Sequence, residues 1–363
     1  MSQQQFDLIV RAGGQAVAVR DGIIVAIGDS IASVALARRD YPDGTLLPGL
    51  VDFHAHPAIE GSQYGIDPDQ QLLPCGVTTV LSQGEAGADN FDRYVETTIA
   101  VSRTRVRLAL NLSRRGESMA GGCFERLEDA EVEACLATLR RGGDSIWGVA
   151  VNLGESSCSA TDPREIMRRA CRVRDESGKP LLVGLRRFDQ WSMVEQLALL
   201  KCGDVVTYCF RPAPNCLLDE RGRIHPAVHQ ARARGVRFDA AHGMNSFSFA
   251  VAAAALAEGF LPDTISSDQY VKHIGSSPPH CLALMLAKLI AAGMPEREAF
   301  AAVTIRPAAF LGLSEEIGSL EIGKCADLIV LRSKAGTLTD CFGVTRRGTV
   351  YEAACVVRGG ELV

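Results

Sequence analysis

The middle of the chain alternates between short apolar runs and stretches with helical spacing. β-Type runs recur at Leu47–His54, Thr78–Ser82, Arg105–Leu112, Ile146–Leu153, Pro180–Leu185, Asp204–Phe210, Val236–Ala241 and Asp263–Ser267. Helix punctuation between them is clear in places. Asp162 can cap a helix with Pro163 in its first turn and Gly178 at its end, and Ser246 opens the Ala-rich stretch Phe247–Glu258 before Gly259. Strands alternating with helices require crossover connections and hence a parallel sheet, and eight such units predict an α/β fold with a closed (β/α)8 TIM barrel. The competing open, doubly wound sheet is disfavoured because no glycine-rich dinucleotide or phosphate loop follows any run.

The two ends follow a different pattern. Short β runs separated by turn signals occupy residues 6–48 and about 316–363, and Asp21-Gly22 between Ala16–Arg20 and Ile23–Ile27 is a hairpin signal. Neither end can bury a core alone. Residues 1–48 plus 316–363 are therefore expected to form one composite β-sandwich, with 49–315 as the barrel.

Composition narrows the class. The 363 residues carry 38 Lys and Arg against 43 Asp and Glu, a net charge of −5, which offers no electrostatic reason for a nucleic-acid partner. No apolar run reaches the roughly 18 residues of a membrane span, and the start Met-Ser-Gln-Gln-Gln-Phe-Asp lacks the basic and apolar regions of a secretory leader. The twelve cysteines are scattered without a Cys-x-x-Cys pair, which fits reduced, buried thiols. These features predict a soluble cytoplasmic protein.

Chemistry concentrates in Pro48-Gly-Leu-Val-Asp-Phe-His-Ala-His-Pro57. Residues two apart on a strand share a face, so Asp52, His54 and His56 are expected to point together into a barrel mouth. Two imidazoles there suit a divalent metal, with Asp268, which closes Asp263–Asp268, as the carboxylate ligand from the eighth strand. A carboxylate that touches both a metal and its water can act as general base. Arg114, Arg115, Arg186, Arg187 and Arg211 follow three different strands; solvated loop charge is the simpler reading of each, and a bidentate clamp on an anionic substrate the functional one. His273 and Lys272, in the loop after Asp268, are further substrate candidates. Glu85, just past the second strand, could approach the mouth, with a plain surface carboxylate the simpler reading, and His225, His229 and His280 read as peripheral residues of helices.

Pro48–Pro57, Cys75-Gly-Val-Thr-Thr-Val80, Asp239–Phe249, Ile265–Asp268 and Gly318–Val330 together resemble the amidohydrolase superfamily, nearest its dihydroorotase-like amidohydrolase/deacetylase branch. The resemblance spans nearly the whole chain. It implies a metal-bearing barrel, a sandwich made from both termini, a homo-oligomer, and His242 near substrate. It also implies two metals bridged by a carboxylated lysine, but here the lysine position holds Ala150 and the two strand-end histidine positions hold Gly184 and Tyr208. At most one divalent ion is therefore expected, with zinc the leading choice, held by His54, His56 and Asp268. Tyr208 has two equal readings, a hydroxyl donor to a developing oxyanion and a packed tyrosine. The expected activity is hydrolysis of an amide or cyclic amide C–N bond of a small, carboxylate-bearing substrate, with Asp268 as base. The alternative is a chain that has kept the fold but binds a small molecule or performs a non-hydrolytic reaction such as elimination.

Overall fold

Strand β1 (Phe6–Ala12) runs antiparallel to β2 (Gln15–Arg20), which turns into β3 (Ile23–Gly28), and β4 (Ala35–Tyr41) adds to the other edge of β1. The turn is Asp21-Gly22, with φ of 50° and 74°, the paired positive values that match a two-residue loop to the twist of its strands. The computed structural model describes residues 5–118, 120–187 and 191–363. The first four residues, on which part of the leader reading rests, lie outside these.

After β5 (Gly44–Pro48) come eight parallel strands: β6 (Leu50–Ala55), β7 (Val77–Gln83), β8 (Arg105–Asn111), β9 (Ile146–Asn152), β10 (Leu181–Gly184), β11 (Val205–Val206), β12 (Arg237–Ala241) and β13 (Thr264–Ser266). They are neighbours in chain order. The seam between β13 and β6 is joined just past the last strand. Asp268 donates its N–H to the His54 carbonyl at 2.8 Å, and Ser267 donates N–H and Oγ–H to the Asp52 carboxylate at 3.1 and 2.5 Å. The result is a (β/α)8 barrel. Strands β14 (Leu328–Thr339), β15 (Thr345–Arg358) and β16 (Glu361–Leu362) pair with β5 to give the sheet β16-β15-β14-β5, which packs on the β3-β2-β1-β4 sheet. Val10, Val17, Val19, Ile24, Leu328 and Val357 fill the space between the two sheets.

Two of the expected strands differ from their runs. Leu47–His54 is divided at Gly49, where the chain leaves the sandwich for the barrel; a side chain there would place Cβ 2.2 Å from Thr78 Oγ1. The run Asp204–Phe210 yields only two strand residues, because Tyr208 takes φ 63° and so leaves the extended region.

Helix Pro163–Ser177 follows its signals: Asp162 accepts from Arg164 N at 3.0 Å and Gly178 has φ 70°. Helix Phe249–Ala257 starts later than Ser246 suggests, since Asp340 Oδ2 accepts from Phe249 N at 2.9 Å and Phe247 stacks instead on His242. The buried pair Arg174–Asp204, 2.8 Å apart, ties helix Pro163–Ser177 to the start of β11. Removing one member would strand a buried charge, at a cost of about 3–5 kcal/mol.

One end of the barrel is closed by Phe53, Trp147 and Phe310 in edge-to-face contact, with Trp147 Nε1 donating to the Phe310 carbonyl at 2.7 Å. Polar side chains therefore gather at the C-terminal ends of the strands. None of the twelve cysteines is in a disulfide. No helix among the described residues is long and apolar enough to cross a membrane.

Candidate metal centre and active-site cavity

His54 and His56, at the C-terminal end of β6, turn their Nε2 atoms toward the same oxygen. Asp268 Oδ1 lies 3.3 Å from His54 Nε2 and 3.1 Å from His56 Nε2, and all three side chains are buried. Tetrahedral donors at bond lengths of about 2.0–2.1 Å sit roughly 3.3 Å apart, so this set fits a single divalent ion. The donor atoms lie within 4.8 Å of one another, and no other such group occurs among the described residues.

The opposite nitrogens fix how the rings present themselves. Thr207 Oγ1 donates to Asp239 Oδ2 at 2.9 Å and so accepts from His54 Nδ1 at 2.8 Å. Thr264 at 2.6 Å, together with Ser266, also donates to Asp239. His56 Nδ1 is hydrogen-bonded to Glu85 Oε1. Both Nδ1 atoms thus act as donors, which leaves Nε2 of each ring as the nitrogen a metal would take once any proton there is displaced. Burial alone would favour neutral His56, but Glu85 and Asp268 push its pKa up to about 10. Burial likewise opposes ionised Asp268, but His54 and His56 outweigh it and hold the carboxyl well below the usual range.

Asp52 does not join the pair of histidines. Register shifts on either side of Asp52 break the strict alternation of β6, and the carboxylate turns to Ser267 across the seam. Burial raises its pKa to about 7 against the pull of those hydrogen bonds.

Asp268 and Tyr208 both have positive φ, 50° and 63°, an uncommon conformation for non-glycine residues that costs on the order of 1–3 kcal/mol. The strained turns direct both side chains at one point: Tyr208 Oη lies 3.2 Å from His54 Nε2. The Tyr208 ring occupies space beside Gly184, where an added Cβ would come within 2.8 Å of Asn152 Oδ1 and 3.4 Å of Tyr208 Cε2. Ala150 is a buried methyl. Gly243 sits against the carboxylate, its hypothetical Cβ only 2.3 Å from Asp268 Oδ2.

A cavity of ≈ 360 Å³ opens onto His56, Tyr208 and Asp268, a size suited to a small molecule. Tyr64 and Tyr270 pack around His56, with ring centroids 5.5 and 5.7 Å away. Arg187, Arg211, Lys272 and Glu117 also reach the cavity.

Several candidate residues lie elsewhere. His242 does not line the cavity: its Nε2 accepts from Lys288 Nζ at 2.8 Å, its Nδ1 donates to the Gly243 carbonyl at 2.7 Å, and Phe247 covers its face. Burial, then the Lys288 charge, keeps this ring neutral. His273 is buried behind Tyr270 and stacked on His280 at 3.7 Å, so it does not reach the cavity. Arg186 is directed to a neighbouring pocket, 3.3 Å from Glu155. Arg114 is spent on Asp89 and Arg115 on Asp129. The sequence reading also erred on two residues. Glu85 is buried rather than on the surface, and His280 is not on a helix but donates its Nε2–H to the Ser267 carbonyl, 2.8 Å away and next to Asp268. Asp239 and Thr207 were not singled out. A lone acid within the apolar run Val236–Ala241 was their one visible signal, since charge inside a central strand needs a partner.

Residues 213–363 match the model of the amidohydrolase family. The chain is 30% identical over 353 residues to a deacetylase of Enterococcus faecalis, covering 94% of each protein. It is also 30% identical over 374 residues to a deacetylase of Agrobacterium fabrum, covering all of this chain and 88% of that relative. Among solved structures, an adenine deaminase superposes with a TM-score of 0.90 at 28% identity over 99% of both chains, and a dihydroorotase with 0.85 at 26% over 98% of both.

Proposed function

This chain belongs to the amidohydrolase superfamily and is a hydrolase of carbon–nitrogen bonds other than peptide bonds; we propose that it cleaves an amide or cyclic amide of a small molecule at one divalent metal, with zinc the ion that two imidazoles and a carboxylate suit. The observation that carries this reading is the approach of His54 Nε2, His56 Nε2 and Asp268 Oδ1 to tetrahedral spacing, with both Nδ1 atoms already engaged. The absence of lysine or histidine at Ala150, Gly184 and Tyr208 supports a single ion.

A bound ion supplies Lewis acidity toward water and toward a carbonyl oxygen. Asp268 holds the proton in transit: its Oδ1 faces the imidazoles, and its carboxylate takes a proton from the attacking water and returns it to the departing nitrogen. Tyr208 donates its hydroxyl hydrogen to the oxygen that gains charge. Burial first, then Asp268 and Asp239, keep its pKa well above the usual tyrosine value, so the donor stays protonated. Tyr64 and Tyr270 narrow the access of water around His56. We further propose that the protein works in the cytoplasm as a homo-oligomer, with no nucleic-acid or membrane partner; its charge of −5 and ordinary helices support the latter two.

The test is metal analysis beside turnover. One ion per chain, loss of amide hydrolysis in Asp268→Asn with an unchanged circular-dichroism spectrum, and loss on chelation are expected. Two ions per chain, or full turnover by Asp268→Asn, would overturn the reading.

A further inference from the structure

Asp239, in the middle of β12, is fully buried. Among the described residues the one basic group it meets is His54, whose Nδ1 lies 3.8 Å away. Its carboxylate is held instead by three buried hydroxyls, as a charge out of water requires. Thr264 donates to Oδ1 at 2.6 Å and Ser266 donates to the same oxygen, whereas Thr207 donates to Oδ2 at 2.9 Å. The two oxygens thus have separate duties: Oδ1 is occupied from β13, and Oδ2 acts through the residue that follows β11. An ionised carboxylate can only accept, so it draws the Thr207 hydroxyl hydrogen to itself. The Thr207 oxygen is left to accept from His54 Nδ1, at 2.8 Å.

The same acid also frames the turn that delivers Tyr208. Thr207 donates its N–H to the Val183 carbonyl at 3.0 Å, and Cys209 donates its N–H to the Asp239 carbonyl at 3.1 Å. The backbone on either side of Tyr208 is therefore tied to a neighbouring strand, and the bend at φ 63° falls on Tyr208. Asp239 holds Thr207 with its side chain and Cys209 with its main chain. The His54 ring and the Tyr208 hydroxyl, 3.2 Å apart, are both placed from this one residue.

We propose that Asp239 is a positioning residue that sets the direction of the hydrogen-bond chain Asp239–Thr207–His54, and thereby decides which nitrogen of His54 is offered to the metal. The assignment rests on the single-metal reading above and goes beyond it, to a residue that is neither a ligand nor a substrate contact. Direction is what an amide would change. Asp239→Asn keeps the shape, but one of its two polar atoms becomes a donor. Thr264 and Ser266 both need an acceptor at the Oδ1 position, so the amide oxygen settles there and the amide nitrogen faces Thr207. Thr207 then accepts from that nitrogen and gives its own hydrogen to His54 Nδ1. The ring is left with its proton on Nε2, the nitrogen that a metal needs.

The experiment reads tautomer and zinc binding separately. Imidazole-nitrogen NMR of isotope-labelled, metal-free protein, with the His54 signals assigned by their loss in His54→Asn, shows which nitrogen carries hydrogen. Competition against a chromophoric chelator gives zinc affinity. Nδ1 of His54 should carry hydrogen in the native protein and be bare in Asp239→Asn, whose zinc affinity should fall by about 10- to 100-fold. Thr207→Val cuts the chain without reversing it, so affinity should fall while Nδ1 stays protonated. Thr207→Ser keeps the hydroxyl and should recover most of the affinity. A bare Nδ1 in the native protein, an unchanged tautomer in Asp239→Asn, or native affinity in that variant overturns the proposal. Should Asp239→Asn not fold, equal zinc affinity of Thr207→Val and Thr207→Ser overturns it. A native protein that binds no zinc, yet reverses its tautomer in Asp239→Asn, retains the chain and overturns the single-metal reading instead.

Discussion

The Tyr208 hydroxyl lies 3.2 Å from His54 Nε2, inside the ligand cluster rather than beside it. It reaches this place because the backbone leaves β11 after two strand residues and takes φ 63°. The ring then fills the space beside Gly184 and brings an oxygen to the metal site in place of an imidazole. The role assigned to that oxygen is hydrogen-bond donation to the developing oxyanion.

Tyr208→Phe keeps the ring and its packing and removes only the donor. The expected result is a drop in kcat of about 10²-fold, the usual cost of one oxyanion donor, with metal content unchanged. Steady-state kinetics paired with elemental analysis checks it. Loss of the ion in this variant would make the tyrosine a ligand instead.

Glu85 orients His56 through Nδ1, so Glu85→Gln should weaken metal binding by about 10- to 100-fold, the range typical of partners behind a ligating histidine. Competition against a chromophoric chelator gives this number directly. Melting temperature of the metal-free protein should fall as well, because the glutamine can still accept from His56 but no longer neutralises the charged ring. Unchanged affinity would remove Glu85 from the centre.

Lys288 is a buried amine whose close partner is the neutral ring of His242, and burial lowers its pKa from 10.5 to about 8. Cys341, Asp340 and Cys281 oppose the shift without cancelling it. Between about pH 8 and 10.5 the unfolded chain binds more protons at this residue than the folded one, so its contribution to stability rises with pH across that window. The gain is on the order of 3 kcal/mol at 1.36 kcal/mol per pKa unit. Lys288→Met removes the term. The variant should be the more stable protein at pH 7, and its advantage should shrink by pH 10. Denaturant melts of both proteins at the two pH values would show this, and an advantage equal at both would refute it.

Much of the architecture is visible in one dimension because its signals are local. Apolar runs interrupted by capped helices, such as Asp162 through Gly178, specify β–α units, and eight in succession leave few ways to bury both faces of the sheet. The Asp21-Gly22 turn is similarly local. Element ends were less legible. Gly49 divides an apolar run because Thr78 stands behind it, and Tyr208 shortens β11 because the site bends the chain there; both causes lie far away in sequence.

The order of residues by itself determined the barrel, the sandwich shared by the two termini, and the His54, His56 and Asp268 set, since strand-end position and donor chemistry are properties of short segments. Only the tertiary structure decided which other polar groups serve that set. Burial of Glu85, capture of His242 by Lys288, the turn of Asp52 to the seam, and the reach of Asp239 through Thr207 to His54 all depend on contacts between distant elements. The underlying reason is that a side chain's charge and direction are governed by what surrounds it, and for polar groups inside a barrel those surroundings come from strands and helices that the local sequence does not contain.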